Sequence, residues 1–251
     1  VATLQPLGPS NFGPGLGAVT FTANALNANR NGYLDSATRV DSDGSANNAT
    51  LSITKASAKA LGLTTDLFGT TINYGTADAS ITFSNQFSFD FNPTDGIEAS
   101  SFDFIGVAIH EIGHALGFVS GVDSIDSITA PGATATRANA YENTITFSQL
   151  DLFRYGSAGE LNWSTQGNPY FSVDGGVTQV YGNSWMSTGV RNGDGRQASH
   201  FRDSPAGQDQ IGIMDPTSGR GQLQEVTGQD LVAFDVIGWT MRPNTSNLGN
   251  Y

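Results

Sequence analysis

Cysteine is absent from this chain of 251 residues, and histidine occurs only three times. Without thiols the chain forms no disulfide bond and no zinc–thiolate site. Basic residues are also scarce, since 11 Lys and Arg stand against 23 Asp and Glu for a net charge of −12. This balance argues against nucleic acid and anionic membranes as partners. No apolar run reaches the roughly 18 residues that a membrane-spanning helix needs.

The remaining composition is that of a folded, loop-rich protein. Hydrophobic residues make up 38% and charged residues 14% of the chain, and 31 residues are glycine, so disorder is not expected. Many aspartates stand beside Gly, Asn and Ser, as in residues 41–45 and 192–195. Carboxylates in such loops can bind calcium, although a solvated acidic surface is the simpler interpretation of any single one. Calcium (Ca2+) is therefore a candidate structural cofactor.

Residues 103–118 carry the most informative pattern, DFIGVAIHEIGHALGF. His110 and His114 lie four positions apart, so on a helix both imidazoles point the same way and can bind one metal ion. Glu111 follows the first of them, within reach of a metal-bound water rather than the metal itself. The apolar residues around this motif leave little polar face, so we expect the helix to be buried. Buried His and Glu side chains need partners, and a zinc ion (Zn2+) is the partner we predict.

The motif continues to Gly117, and H-E-x-x-H-x-x-G resembles the signature of the metzincin metallopeptidases. The metzincin pattern has a third His three residues after this glycine, where this chain has Ser120. The remaining histidine is His200, and it is followed by the segment 212–216, Gly-Ile-Met-Asp-Pro. This segment resembles the metzincin Met-turn, with Met214 as its methionine. A distant third His before a Met-turn resembles the leishmanolysin-like branch and a group of secreted bacterial metallopeptidases.

The resemblance implies an α+β fold of the metzincin-like zincin type. A twisted sheet and the active-site helix would form an N-terminal subdomain, residues 1–118. A loop-rich C-terminal subdomain, residues 119–251, would carry the third zinc ligand, the Met-turn and a C-terminal helix, so that the two form one catalytic domain. The resemblance also implies a secreted, monomeric enzyme, and we expect its signal peptide and an N-terminal segment to be absent from this chain.

The same resemblance implies the site and its chemistry. Zinc would be held by His110, His114 and His200, with Met214 beneath the metal. Glu111 would be the general acid/base of a zinc-dependent endopeptidase that hydrolyses protein or peptide substrates. Some metzincins have a Tyr two residues after the methionine. This chain has Pro216 there, which leaves Tyr170 and Tyr181 as candidate substitutes.

Two alternatives stay open at this point. The third zinc ligand could be a carboxylate after the helix, namely Asp123, Asp126 or Glu142. We favour His200 because catalytic zinc commonly takes three protein ligands, and this choice makes Asp123 dispensable for zinc. The chain could also be a non-catalytic, metal- or calcium-stabilised extracellular binding module, although a purely structural site has no use for Glu111.

Periodicity and capping patterns predict the elements around the motif. A strand is predicted at 18–22, a helix at 52–62 capped by Ser52 or Thr54, a capping box of Ser100 and Asp103, and a C-terminal helix at 226–238 capped by Thr227. Residues 120–140 are predicted to form a long loop. Residues 79–91 alternate strongly and predict a half-buried strand with one apolar face, formed by Ile81, Phe83, Phe87, Phe89 and Phe91. The resemblance makes this strand the candidate for pairing with extended substrate, and a strand that only packs against the core is the alternative.

Overall fold

The structure is a computed structural model, and it describes residues 2–6, 18–23, 50–66, 71–128, 131, 147–205 and 208–240. For residues 2–6, 18–23 and 50 it describes the backbone alone. This part of the chain mixes α-helices with small β-sheets, as the α+β prediction requires. None of its helices has the length and apolar character needed to cross a lipid bilayer.

The elements are short and separated by loops. The α-helices are α1 (Lys55–Ala60), α2 (Phe104–Leu116), α3 (Val122–Ile128) and α4 (Gly228–Val236). Single turns of 3-10 helix occur at Pro93–Asp95, Leu150–Phe153 and Val180–Gly182. The strands are β1 (Ala2–Pro6), β2 (Ala18–Ala23), β3 (Thr50–Thr54), β4 (Phe89–Asp90), β5 (Phe102–Asp103), β6 (Phe147–Ser148), β7 (Arg154–Ser157), β8 (Glu160–Leu161) and β9 (Tyr170–Phe171).

The largest sheet has the strand order β1-β2-β3-β6. Its first two pairs are antiparallel, and β3 runs parallel to β6 with Leu51 opposite Phe147. The predicted strand at 18–22 is confirmed as β2. Because β3 and β6 lie on opposite sides of the predicted division at residue 118, the sheet joins the two predicted subdomains. A second sheet pairs β4 with β5, and a third has the order β8-β7-β9.

The helix predicted at 52–62 begins later than the sequence suggested. Residues 50–54 form β3, because β-branched side chains favour a strand and both neighbours of this strand offer backbone partners. Thr54 then caps α1, since its hydroxyl oxygen accepts a 3.1 Å hydrogen bond from the Ser57 amide. This is the cap that the sequence offered as one of two candidates, while Ser52 lies within the strand.

Helix α2 carries the histidine motif, but its cap and its burial differ from the predictions. The cap is Asp103 alone, whose carboxylate accepts a 3.0 Å hydrogen bond from the Gly106 amide. The expectation of a buried helix is wrong, because its only buried residues are Gly106 and Gly113. Other segments approach α2 closely at these two glycines, so the larger apolar side chains point to the open side. Three of them are more than a third exposed: Ile105, Ile109 and Ile112.

The long strand predicted at 79–91 is also wrong, since only Phe89–Asp90 form a strand. Ring packing holds the alternating phenylalanines in place of a longer ladder. The ring centroids of Phe83 and Phe104 lie 5.0 Å apart, and those of Phe91 and Phe104 lie 4.6 Å apart. Within the described residues, no backbone hydrogen bond joins residues 79–84 to another segment. These residues instead run beside α2 and line a cleft.

The predicted loop at 120–140 contains helix α3, which the sequence reading missed. The serines and aspartates of this segment favoured a loop in the sequence analysis, but Val122 and Ile125 of the short helix are fully buried. They pack into a hydrophobic cluster with the side chain of Trp163. Glu142, one of the alternative zinc ligands, lies outside the described residues, as does the acidic turn at 41–45.

The C-terminal helix is confirmed as α4, within the predicted limits of 226–238. Thr227 and Asp230 form a capping box at its N-terminus. Ile237, just after the helix, is fully buried, whereas Leu231 is 38% exposed. The cluster around Ile237 also contains Phe118, Phe201 and Met214, so the end of α2 and the segments near residues 200 and 214 share one core.

Candidate metal centre

Three histidine rings meet at one point beside helix α2. The Nε2 atoms of His110 and His114 lie 3.1 Å apart, and the His200 Nε2 atom lies 3.1 Å from that of His114 and 3.2 Å from that of His110. The fold thus brings His200 next to His110 and His114, although it lies far from them in the sequence. Within the part of the chain that the structure describes, this is the group of His, Asp and Glu residues suited to hold a metal ion.

Backbone carbonyls fix the orientation of all three rings. The Nδ1 atom of His110 lies 2.8 Å from the Ile213 oxygen, that of His114 lies 2.7 Å from the Phe118 oxygen, and that of His200 lies 3.1 Å from the Gln197 oxygen. A carbonyl oxygen can only accept, so each Nδ1 carries the hydrogen and donates it. Each Nε2 therefore presents its lone pair to the common centre.

This donor set fits a metal ion. Three lone pairs that face one another cannot satisfy one another by hydrogen bonding, whereas a cation satisfies all three. A tetrahedral zinc ion with bonds of about 2.0–2.1 Å spaces its ligand atoms about 3.3 Å apart. The observed separations of 3.1–3.2 Å agree with that spacing to within about 0.2 Å.

The protonation equilibria of the rings favour the same state. Burial, reinforced by the neighbouring His110, lowers the pKa of His114 to about 4. Burial and the two neighbouring histidines lower the pKa of His200 to about 2. Both rings are therefore neutral at pH 7, which is the form that binds a metal ion.

Glu111 lies between two cavities on the open side of the site. The larger has a volume of about 490 Å³ and also includes His114 in its wall. The smaller, of about 140 Å³, includes His110, Asp215 and Thr217. Glu111 is exposed and belongs to both walls, so its carboxylate can meet a water or a ligand that approaches the three histidines.

Met214 lies against the opposite side of the helix. It is fully buried, and a Cβ added to Gly113 would collide with its Sδ atom. Gly113 stands between His110 and His114 in the sequence of α2, so the methionine packs against the part of the helix that carries both histidines. The Met214 oxygen accepts a 3.0 Å hydrogen bond from the Phe201 amide, which ties this segment to the residue after His200.

Asp230 holds the methionine segment in place, a role that the sequence reading missed. Its buried carboxylate accepts hydrogen bonds from the amides of Ile213 at 2.8 Å and Met214 at 3.2 Å. The same carboxylate accepts the Thr227 amide at 2.7 Å in the capping box of α4. The sequence signal Thr-x-x-Asp reveals the cap alone, because the second set of contacts comes from a segment 16 residues earlier.

Comparison of the chain with protein-family models, with curated proteins and with solved structures found no match in any of the three. The contacts within the described residues therefore carry the functional argument.

The alternative carboxylate ligands serve other purposes. Asp123 accepts the Ala198 amide at 2.6 Å and the Ser199 amide at 3.1 Å, so it supports the backbone just before His200. Asp126 accepts the amides of Arg191 and Asn192 at 2.9 and 2.8 Å. Neither aspartate belongs to the histidine group, so the alternative prediction that one of them is the third zinc ligand is wrong.

Ser120, at the position where the metzincin pattern has its third His, faces away from the centre. Its hydroxyl donates a 2.5 Å hydrogen bond to the buried Asp151 carboxylate. Its amide donates to the Ser199 Oγ atom at 2.8 Å. Position 120 therefore joins the end of α2 to the loop that carries His200.

The two tyrosines offered as substitutes lie elsewhere. The Tyr170 hydroxyl donates to the Gly176 oxygen at 2.6 Å, and Tyr181 is 70% exposed and packs beside Gly228. Neither belongs to the wall of either cavity beside Glu111. The described residues bring no comparable group of carboxylates together, so calcium stays a prediction.

Proposed function

We propose that the protein is a zinc-dependent endopeptidase, and that His110, His114 and His200 hold the zinc ion. The observation that carries the proposal is the convergence of three Nε2 lone pairs beside Glu111, which lies in the wall of an open cleft. Three protein ligands with an open fourth position are characteristic of catalytic rather than structural zinc.

Different residues of the site have different roles in the proposed reaction. The three carbonyl acceptors of Ile213, Phe118 and Gln197 keep each ring in the tautomer that binds metal. A bound zinc ion would supply an activated water and polarise the scissile carbonyl. Glu111 accepts a proton from the attacking water and passes it to the leaving amine. Its exposure in the cleft leaves it free to make both transfers.

We also propose a metzincin-type arrangement of the leishmanolysin-like kind. Its support is the order of the parts along the chain, since the H-E-x-x-H-x-x-G helix, the distant His200 and Met214 follow one another as in that branch. The packing of Met214 beneath Gly113 of the helix agrees with the role that the resemblance gives to this methionine.

The proposal is tested by metal analysis combined with a hydrolysis assay. Purified protein should contain about one zinc per chain and should cleave an unfolded protein substrate, and a zinc chelator should abolish the cleavage. Zinc without hydrolysis of any unfolded protein would instead favour a metal-stabilised binding module. Absence of zinc from protein that is saturated with the ion and then dialysed at pH 7 would overturn the proposed site.

A further inference from the structure

The larger cavity beside Glu111 is a pocket of defined chemistry. Its volume of about 490 Å³ lies within the roughly 300–1,000 Å³ of small-ligand pockets. Its wall is formed on one side by residues 79–84 and on another by the helix α2. Most of the side chains in this wall are apolar, among them Ile81, Phe83, Phe87, Phe89 and Val107.

Charge is confined to the end of the pocket that meets the histidine centre. Among its lining residues the titratable ones are Glu111 and His114, and both belong to the proposed catalytic site. No lining residue is Lys or Arg. The other polar lining residues carry only hydroxyl groups, namely Ser80, Thr82, Ser84 and Ser218. A charged side chain in the apolar end would lose part of its hydration without meeting an opposite charge, whereas an apolar side chain would be stabilised there.

The second cavity differs in size and polarity. It has a volume of about 140 Å³, and its wall includes Asp215, Thr217 and Gln224. The two cavities share Val107, Glu111 and Ser218, so Glu111 stands at the boundary between them. A peptide that crosses the site therefore meets a large apolar space on one side of Glu111 and a small polar space on the other.

We propose that the larger cavity is a specificity pocket for a bulky apolar side chain, aromatic by preference, next to the bond that is cleaved. This inference rests on the proposed peptidase function and adds the substrate class to it. Rings of Phe83, Phe87 and Phe89 line the cavity and can pack edge to face with a substrate ring. Such packing favours an aromatic over an aliphatic side chain of equal area by roughly two- to tenfold.

Binding to a variant that cannot turn over the substrate tests the pocket separately from catalysis. Zinc-loaded Glu111→Gln is titrated with glycine-rich hexapeptides that carry Phe, Ala or Lys at each position in turn. We expect one position at which Phe binds about tenfold more tightly than Ala or better, with Lys no tighter than Ala. Equal binding of Phe and Ala at every position would overturn the pocket.

A charge placed in the apolar wall gives the sharper test. Ile81 is 37% exposed, so Ile81→Glu leaves the core intact and should shift the preference at that same position from Phe to Lys. The matched control is Ile105→Glu, because Ile105 is 42% exposed and lines neither cavity. The control should keep the Phe preference. An unchanged Phe preference in Ile81→Glu would overturn the assignment of this cavity.

The two proposals fail in different ways. Selective binding of Phe peptides, together with no hydrolysis of any of them by the wild-type protein, would support the pocket and overturn the peptidase function. Hydrolysis without selectivity at any position would overturn the pocket and support the function. Failure of every peptide to bind would overturn both.

Discussion

Asp123 and Ser199 are joined by two hydrogen bonds, because the Ser199 amide donates to the Asp123 Oδ2 atom at 3.1 Å and the Ser199 hydroxyl donates to the same oxygen. The Ser199 Oγ atom also accepts the Ser120 amide at 2.8 Å. Helix α3 and the end of α2 thus fix the backbone directly before His200. His200 is therefore positioned by the Asp123 carboxylate, which does not belong to the group of three histidines.

Asp123→Asn should therefore weaken zinc binding. Asparagine has one acceptor oxygen in place of two, so it cannot accept from both the Ala198 and Ser199 amides as the carboxylate does. Loss of a partner that orients a metal ligand typically costs about 10–100-fold in metal affinity. Competition with a chromophoric zinc chelator measures the dissociation constant.

The matched control is Asp126→Asn, three residues further along the same helix. Asp126 accepts amides of Arg191 and Asn192, which precede His200 by nine and eight residues, whereas Asp123 contacts the two residues directly before it. This variant should keep the wild-type zinc affinity. Equal loss in both variants would mean that Asp123 acts through the stability of α3 rather than through the His200 loop.

The role of Asp123 shows which parts of the candidate metal site could be predicted from the sequence and which could not. The ligand pair of α2 follows from spacing on one helix, and His200 follows from the scarcity of histidine. Sequence reasoning made Asp123 dispensable for zinc, because its only visible use there was as a competing ligand. Its hydrogen bonds span 75 and 76 residues of sequence, and no local pattern encodes contacts of that range.

Glu111→Gln should retain zinc and the fold but lose most of the hydrolytic activity. The amide can neither accept the proton from water nor deliver it to the leaving amine, and loss of general acid–base catalysis typically costs about 10²–10⁴-fold in rate. Initial rates on a quenched peptide and the zinc content are measured on the same samples. Glu225→Gln, an exposed residue outside both cavities, controls for the change of charge. Activity of Glu111→Gln near the wild-type rate would exclude the assigned mechanism.

Gly113→Ala should destabilise the protein through Met214. The new methyl group would collide with the Met214 Sδ atom in a fully buried position. Overpacking of this kind costs about 1–3 kcal/mol, which outweighs the gain of up to about 1 kcal/mol in helix propensity. In a Met214→Ala background only the Phe234 Cζ atom stays close to the new methyl group, at 3.2 Å, so the same substitution should cost much less. Chemical denaturation of the wild type, the two single variants and the double variant, all free of metal, gives the coupling free energy between positions 113 and 214. Additive effects on the free energy of unfolding would show that Met214 does not pack beneath Gly113.

The same contact explains why the burial of α2 was predicted wrongly. Counting apolar residues placed Ile105, Ile109 and Ile112 in a core, yet all three are exposed. The contact face is set by Gly106 and Gly113, where a Cβ would collide with Gln224 and Met214. A glycine carries no hydrophobic signal, so a pattern of apolar side chains cannot locate a face that is defined by close backbone approach.

The last prediction concerns acid. Burial and neighbouring histidines lower the pKa of His114 to about 4 and that of His200 to about 2 in the folded protein, whereas a free imidazole has a pKa of about 6.5. Because these pKa values are lowered, both rings stay neutral as the pH falls from 7 through 5, and protons compete with zinc only at lower pH. Zinc content after dialysis should therefore remain constant down to about pH 5 and fall near or below pH 4. In urea the three histidines no longer meet at one point, so zinc should be lost from the unfolded chain already at pH 7. Zinc retained by the folded protein after dialysis at about pH 3 would contradict a centre of three histidines.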